Sequence, residues 1–237
     1  MRVFVAGATG AIGKYLVPGL VAAGHEVTGS TRSPTKASQL KSAGATPALV
    51  DGLDRQAVLE TVKAARPDVI VHQMTALASM RNFRNFDKEF AVTNELRTKG
   101  TDYLLEAAQQ AGVRVKTETV PGAVPEGLVL RYGMFYGPGA SESMLDVVKK
   151  RRMPVVGGGT GIWSFTEVTD AAAATAAAVN RGAPGICNVV DDHPAPVAQW
   201  LPYLSECLGV KPPMRAPAWM GKLLARELVV SLMPEAR

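Results

Sequence analysis

The sequence predicts an α/β fold built on a doubly wound parallel sheet, with a small C-terminal substrate lobe. Three observations in the first half of the chain support this prediction. Short apolar strands alternate with helical stretches, residues 68–72 form a nearly all-apolar strand, and a glycine-rich turn joins the first strand to the first helix. Continuous apolar strands are typical of a parallel sheet covered on both faces, and the turn makes a Rossmann-type sheet the expected variant.

Regular alternation is expected up to about residue 112. Helix ends are indicated by Gly24, Gly44 and Gly112, and Asp54 is the expected N-cap of the third helix. The expected strands are Arg2–Ala6, His25–Ser30, Thr46–Val50 and Asp68–His72, and the expected helices are Lys14–Ala23, Lys36–Ala43, Asp54–Ala65 and Phe86–Ala111.

The pattern changes after Gly112. Residues 113–126 show no regular apolar spacing, and a strand is expected again only at 127–132. The later elements are expected to be a strand at 185–190 and helices at 143–152, 170–180, 197–208 and 218–233. We therefore predict a Rossmann domain over residues 1–132 and a smaller substrate-binding lobe over residues 133–237. Some elements of this second part are expected to return to the core of the Rossmann domain.

The composition excludes several classes of protein. With a net charge of +5 over 237 residues and no long block of Lys and Arg, no nucleic-acid partner is predicted. Two cysteines exclude a disulfide scaffold, and no apolar stretch reaches the roughly 18 residues of a membrane helix. No metal site is predicted, because the consecutive residues Asp191, Asp192 and His193 point in different directions. A cytoplasmic location, with no membrane partner, is the expectation.

The glycine-rich turn is the strongest motif in the chain. It reads Gly7-Ala8-Thr9-Gly10-Ala11-Ile12-Gly13, directly after a strand and at the start of a helix. The first glycine permits a sharp turn, the second lets the backbone approach a diphosphate, and the third lets the helix pack close to the strand. The helix N-terminus then offers free N–H groups to phosphate. All seven residues are therefore expected to bind a dinucleotide.

The spacing of these glycines resembles that of the extended short-chain dehydrogenase/reductase family, in its NAD-dependent epimerase/dehydratase-like branch. Further motifs similar to those of the family are Asp51-Gly52-Leu53, Asp68–Gln73, Asn94 with Gly100-Thr101, Leu130–Gly139 and Phe165–Asp170. The resemblance implies that Asp51, Gly52 and Leu53 lie near the adenine of the cofactor. Gln73, Met74 and Thr75 follow the fourth strand, at the sheet edge where ligands of open α/β folds bind.

The end of the second strand predicts which nicotinamide dinucleotide is bound. No carboxylate stands there to accept hydrogen bonds from the ribose of NAD, whereas Arg32 offers a planar, charged fork to a 2′-phosphate. The hydroxyls of Thr31 and Ser33 and the charge of Lys36 could add to this site. We therefore predict NADP(H), bound by residues 1–132. The alternative is that Arg32 lies in solvent or stacks on adenine.

The proton-transfer motif of the family is absent. Typical members use Tyr-x-x-x-Lys, in which the tyrosine moves a proton and the lysine supports it, one helical turn away. None of the five tyrosines, Tyr15, Tyr103, Tyr132, Tyr136 and Tyr203, has a lysine four positions later. The catalytic residues are therefore left unassigned, with Thr75 and Tyr136 as candidates.

The segment between Arg114 and Gly127 is about fifty residues shorter than the resemblance implies, and it is where the family places its fifth strand and the tyrosine helix. Two explanations stay open. Either the sequence closes over residues that the whole protein has, with 113–126 a remnant of a lid, or the chain carries a real deletion. The end at Arg237, earlier than is usual in the family, favours the first explanation.

Substrate contacts are expected from residues around the later strands. Met134, Phe135 and Tyr136 follow the strand at 127–132, Trp163 could form one wall of a pocket for a flat ligand, and Lys116 could touch the substrate from the lid. For Tyr136, packing or ribose binding is the alternative to acid catalysis, and for Trp163 the alternative is core packing.

The residues most resemble an atypical branch of the short-chain dehydrogenase/reductase family that lacks the tyrosine. This resemblance implies an NADPH-dependent ketoreductase of a bulky secondary metabolite such as an aromatic polyketide. The partner is then a small-molecule carbonyl substrate, which could supply the proton from its own hydroxyl, and the protein is expected to be a monomer or homodimer. Two alternatives stay open. One is a nucleotide-sugar epimerase or dehydratase, and the other is a binding protein that senses NADP(H) without turnover.

Overall fold

The computed structural model describes residues 1–77, 86–117 and 127–219. Strands and helices are numbered along the chain. The strands are β1 (Arg2–Ala6), β2 (Glu26–Thr31), β3 (Thr46–Leu49), β4 (Val69–His72), β5 (Arg114–Thr117), β6 (Leu128–Tyr132), β7 (Met134–Tyr136), β8 (Val155–Val156), β9 (Ile162–Trp163), β10 (Phe165–Glu167), β11 (Gly185–Val189), β12 (Ala195–Pro196) and β13 (Arg215–Ala216). The helices are α1 (Gly13–Ala22), α2 (Pro34–Ser42), α3 (Arg55–Ala65), α4 (Phe86–Arg97), α5 (Lys99–Ala111), α6 (Glu142–Lys149), α7 (Val168–Arg181) and α8 (Val197–Cys207).

A seven-stranded sheet forms the first of two compact units, made of Met1–Ser79, Phe90–Tyr132 and Val168–Val189. The strand order is β11-β6-β5-β4-β1-β2-β3, and every neighbouring pair is parallel. All seven strands therefore end at one edge, where the connections to the following elements begin. The predicted α/β fold with a Rossmann-type doubly wound parallel sheet is confirmed.

Helices cover the sheet because alternate strand residues point to opposite faces. Phe4 and Ile70 belong to a buried cluster with Val58, Val62 and Leu104, which come from α3 and α5. On the other face α1 packs beside α7. The end of α3 nearest the sheet edge is fixed by Asp54, whose side chain accepts a hydrogen bond from the Ala57 N–H, as expected for an N-cap.

The structure corrects the expectation for residues 113–126. Arg114–Thr117 form β5, a central strand hydrogen-bonded to β4 and β6, so these residues are not part of a lid. The sheet requires a strand here, because without it the backbone groups of β4 and β6 would be left unpaired. Residues 118–126 lie outside the described part of the chain. Only ten residues, 118–127, separate β5 from β6, fewer than the dozen or so of an ordinary parallel crossover.

Two helix predictions also differ from the structure. The single helix expected over 86–111 is two helices, α4 and α5, separated at Thr98, whose hydroxyl and backbone N–H both donate to the Asn94 carbonyl. Helix α2 begins at Pro34 rather than at Lys36, because proline suits the first turn, where no N–H partner is needed. Most of the helix expected at 218–233 lies outside the described residues.

The second unit comprises Met80–Glu89, Gly133–Glu167 and Val190–Arg237. Its described strands form three small pairs, β7 with β10, β8 with β13 and β9 with β12. Helices α6 and α8 supply much of its core, in which Trp163 and Trp200 lie with ring centroids 5.0 Å apart. No helix in the described part of the chain is long and apolar enough to cross a membrane.

Candidate functional site

The glycine turn is attached to the second strand by hydrogen bonds. The Gly7 N–H donates to the Ser30 hydroxyl (3.0 Å), and the Ala8 N–H donates to the Ser30 carbonyl (3.1 Å). One residue further along each segment, the hydroxyls of Thr9 and Thr31 lie 3.1 Å apart. Because Ser30 is buried, these bonds are shielded from water and hold the turn in one position beside β2.

Each glycine of the turn meets a different steric requirement. Gly7 has φ of +86°, and a Cβ there would lie 2.9 Å from the backbone C and O atoms of Gln73. A Cβ on Gly13 would overlap the backbone of Ala8. A Cβ on Gly10, by contrast, would meet only the Gly7 oxygen, at 3.3 Å, and would otherwise project into open space. Gly7 and Gly13 are thus required by the fold, whereas Gly10 keeps the surface of the turn bare.

The turn presents unpaired backbone donors. Within residues 1–77, 86–117 and 127–219, the N–H groups of Ala11, Ile12 and Gly13 donate to no other protein group. They lie at the N-terminus of α1, where the helix dipole is positive. Three free N–H groups beside a glycine without a side chain fit the diphosphate of a dinucleotide. The seven residues of the predicted motif are therefore brought together as a cradle, although the N–H groups of Gly7 and Ala8 serve to hold it.

The end of β2 carries an exposed cation. Arg32 is exposed, and its guanidinium makes no ion pair within the part of the chain that the structure describes. Thr31 is buried, and its hydroxyl accepts the Ser33 N–H (3.2 Å) besides contacting Thr9, so this side chain holds the backbone rather than facing solvent. The Ser33 hydroxyl pairs with that of Thr35 (2.8 Å). A phosphate at this corner would meet Arg32 and the exposed N-terminal turn of α2.

Residues expected near the adenine form a second loop at the same sheet edge. The Asp51 carboxylate accepts the Leu53 N–H (3.1 Å) and fixes the turn after β3. Gly52 is buried, and a Cβ there would overlap the thioether of Met74, so only glycine fits at this position. Met74 is itself buried, while the Thr75 side chain is exposed. The structure thus brings the Asp51–Leu53 loop and Met74 into contact and leaves Thr75 accessible.

His72 belongs to the core, as predicted from its apolar strand. It is 1% exposed, and its Nδ1 atom accepts the Met74 N–H (3.1 Å). Burial lowers the pKa of His72 to about 4; the backbone of Leu96 acts in the opposite direction, and the charge of Arg97 adds to the lowering. The imidazole is therefore neutral at ordinary pH and acts as a structural acceptor.

The predicted substrate residues of the second unit lie around β7 and β10. Met134 and Tyr136 are exposed, Phe135 is half-buried, and the Tyr136 hydroxyl donates to the Asp191 carboxylate (3.0 Å). Trp163 is buried in the aromatic core, in line with the packing alternative for this residue. Lys116 belongs to β5 in the other unit.

Sequence reasoning missed two features of the site. Ser30, which holds the turn, lies inside a strand and belongs to no motif. Asp191, the partner of Tyr136, is far from it in sequence and stands out there only as part of a possible metal cluster. Within the described residues, no group of three or more His, Cys, Asp and Glu side chains could hold a metal ion.

The fold and the turn are those of the class of Rossmann-type α/β proteins. The chain superposes with a TM-score of 0.69 on the UDP-glucose 4-epimerase of Thermus thermophilus in complex with NAD, at 23% identity, covering 92% of this chain and 86% of that one. The profile of the NAD dependent epimerase/dehydratase family matches residues 3–127, more than half of the sequence. The chain belongs to this enzyme family.

Two curated relatives are reductases. A 3-diazoavenalumate denitrifying reductase of a Streptomyces species is 38% identical, and the alignment covers 100% of this chain and 91% of that protein. A 4-hydroxy-2-methyl-3-oxo-4-farnesyl-3,4-dihydroquinoline-1-oxide ketoreductase of Stigmatella aurantiaca is 27% identical, with 100% and 83% covered. The first alignment spans 283 positions against 237 residues here, so 46 positions (283 less 237) have no residue in this chain. That difference is close in size to the gap expected from the sequence.

Proposed function

We propose that this protein is an NADPH-dependent ketoreductase that reduces a carbonyl of a bulky secondary metabolite without the Tyr-x-x-x-Lys acid. The observation that carries the proposal is the cradle of free Ala11, Ile12 and Gly13 N–H groups, with the exposed Arg32 at the end of the neighbouring strand. A carbonyl-reducing relative, the ketoreductase from Stigmatella aurantiaca, supports the reaction type.

The cofactor preference follows from the charges at the end of β2. The segment Thr31–Lys36 contains two cations and no carboxylate, so a 2′-phosphate would be attracted and not repelled. Arg32 and the N-terminal turn of α2 would hold that phosphate, while the α1 cradle would hold the diphosphate. Asp51–Leu53 with Met74 would line the adenine. When bound, the reduced dinucleotide supplies the hydride.

The proton that a ketone needs has no assigned protein donor. Tyr136 already donates its hydroxyl proton to Asp191, and Thr75 is exposed. An aliphatic hydroxyl is also a weak acid compared with the tyrosine of the usual pair. We therefore propose that a hydroxyl beside the carbonyl of the substrate polarises it and delivers the proton, while the protein orients the reactants and excludes water.

A second candidate function is favoured by the missing acid. The 38% identical relative is named as a denitrifying reductase of a diazo compound. An arenediazonium that accepts a hydride at carbon exchanges its C–N bond for a C–H bond and releases N2, and the charges balance without any added proton. Such a reaction would need only cofactor binding and orientation, which are the features that this chain retains.

The test is turnover by the purified protein. We expect NADPH oxidation with aromatic ketones that carry a neighbouring hydroxyl, and little with the matched O-methyl ethers. Oxidation with arenediazonium salts and N2 release, but not with ketones, would favour the second candidate. Binding of NADPH without oxidation by either panel would favour a sensor, conversion of nucleotide sugars would favour an epimerase, and tighter binding of NADH would contradict the cofactor assignment.

A further inference from the structure

Three polar side chains of the Rossmann-type unit form a hydrogen-bonded chain beneath the sheet edge. Thr175 is buried on α7, and its hydroxyl lies 2.6 Å from the Tyr132 hydroxyl at the end of β6. The Gln73 side-chain nitrogen lies 3.5 Å from the same Thr175 oxygen. Thr175 also donates to the Ala171 carbonyl, one helical turn earlier (2.7 Å). Tyr132 at the end of β6 and Gln73 directly after β4, two strands separated by β5, are thus joined through one threonine.

The count of protons fixes the direction of the bond between Thr175 and Gln73. A threonine hydroxyl has one proton and two lone pairs. The Thr175 proton goes to the Ala171 carbonyl, and the Tyr132 hydroxyl, which also lies 3.4 Å from that carbonyl, can donate to either oxygen. Thr175 therefore accepts from Gln73, and the Gln73 amide must present its NH2 group to the helix. The side-chain oxygen of Gln73 is then turned away from Thr175. This Oε1 atom is buried and has no partner within the described residues.

Gln73 lies directly beside the glycine turn. It is the first residue after β4, its N–H donates to the Ala6 carbonyl (2.9 Å), and its backbone is the group that a Cβ on Gly7 would strike. A buried carbonyl oxygen without a donor is unfavourable in the folded protein, so a donor is expected when the site is occupied. A dinucleotide offers ribose hydroxyls and a carboxamide N–H as donors of that kind.

We propose that Tyr132 and Thr175 are positioning residues, which hold the Gln73 side chain so that its Oε1 accepts a hydrogen bond from an O–H or N–H of the bound dinucleotide. The inference rests on the proposed function, because it requires that the α1 cradle binds this cofactor. Tyr132 and Thr175 touch no ligand themselves. Their effect on binding passes through the orientation of the Gln73 amide.

The test is a set of NADPH dissociation constants measured by calorimetry. Gln73→Met removes the acceptor, Thr175→Val and Tyr132→Phe remove the hydroxyls, and Thr175→Ser retains one. We expect the first three to weaken binding about fivefold to tenfold, the loss of roughly one hydrogen bond, and Thr175→Ser to bind like the wild type. Ser205→Ala is the matched control, because Ser205 makes the same bond to the carbonyl four residues earlier, in the other unit.

A double-mutant cycle separates positioning from general loss of structure. If Thr175 acts through Gln73, the double variant with Gln73→Met and Thr175→Val binds NADPH no more weakly than Gln73→Met alone. The inference would be overturned if the losses of affinity in the two single variants added up in the double variant. It would also be overturned if Gln73→Met bound NADPH as tightly as the wild type, which would mean that water is the donor to Oε1. A wild-type protein that binds neither NADPH nor NADH would instead contradict the proposed function, and the two failures are distinguishable.

Discussion

Arg32 determines the proposed choice between the two nicotinamide dinucleotides. It is exposed at the end of β2, and the residues beside it, from Thr31 to Lys36, include no acid. A guanidinium can form two parallel hydrogen bonds to one phosphate, which gives it both affinity and direction.

Replacing Arg32 should therefore change the affinity for NADPH more than that for NADH. We expect Arg32→Ala to weaken NADPH binding roughly tenfold or more, the value of one or two charge-assisted hydrogen bonds, and Arg32→Asp to reverse the preference. Dissociation constants for both dinucleotides measure this. Arg181→Ala, which removes an exposed arginine at the C-terminus of α7, is the control. Equal losses for NADPH and NADH would show that Arg32 does not contact the 2′-phosphate.

Individual side chains are predictable where they belong to a local pattern. The spacing of Gly7, Gly10 and Gly13 identifies the turn, and the apolar strand around His72 identifies a core histidine. The Ser30 hydroxyl and the link from Tyr132 through Thr175 to Gln73 are not predictable in this way, because they join residues 23, 43 and 102 positions apart. Such contacts depend on how the elements pack, and the spacing of residues along the sequence does not predict them.

The β1–α1 turn separates requirements of the fold from requirements of the ligand. A Cβ on Gly13 would overlap the backbone of Ala8, whereas a Cβ on Gly10 would meet only the Gly7 oxygen, at 3.3 Å. We expect Gly13→Ala to lower the free energy of unfolding by about 2 kcal/mol or more, because backbone must move to admit the methyl group. Gly10→Ala should leave stability within about 0.5 kcal/mol of the wild type but weaken NADPH binding at least tenfold, because its Cβ takes the space of the diphosphate.

Urea unfolding and calorimetry of the same variants check this prediction. Gly19→Ala is the matched control, since Gly19 lies on the exposed side of α1 with nothing within 4 Å of its Cβ position. It should stabilise the helix by up to about 1 kcal/mol and leave binding unchanged. If Gly10→Ala bound NADPH normally, the cradle would not be the phosphate site.

Strand β5 shows where element prediction fails and why. Val113-Arg114-Val115-Lys116-Thr117 alternates β-branched and charged residues, which is a strand pattern, but its charges and the short stretch that follows favour a lid when the sequence is read alone. A central position in a parallel sheet usually requires an all-apolar strand. Here tertiary pairing with β4 and β6 outweighs that preference.

The pH dependence of folding is a property of the protein as a whole, and His72 contributes a defined part of it. The pKa of His72 is about 4 in the folded chain, against 6.5 when unfolded. The unfolded state therefore binds the proton more readily, so stability is fully present above pH 6.5 and is lost as the pH falls from 6.5 towards 4. Between about pH 7.5 and about pH 5.0 the expected loss is about 2 kcal/mol.

Urea unfolding at these two pH values measures the loss. His72→Asn keeps an acceptor for the Met74 N–H but does not titrate, so it should lack this part of the pH dependence. His193→Asn, at an exposed histidine, should retain it. A His72→Asn protein that loses stability as steeply as the wild type would show that other groups are responsible.

The arrangement by which Ser30 holds the turn has a consequence for the rate of catalysis. A nicotinamide-dependent reductase must release the spent dinucleotide and admit a fresh one in every cycle. Gly7 and Ala8 are anchored to β2 by hydrogen bonds to Ser30. The turn therefore keeps its shape between the release of one dinucleotide and the binding of the next. Because this turn does not have to refold around the incoming dinucleotide, we expect association in a single kinetic phase whose rate rises linearly with NADPH concentration.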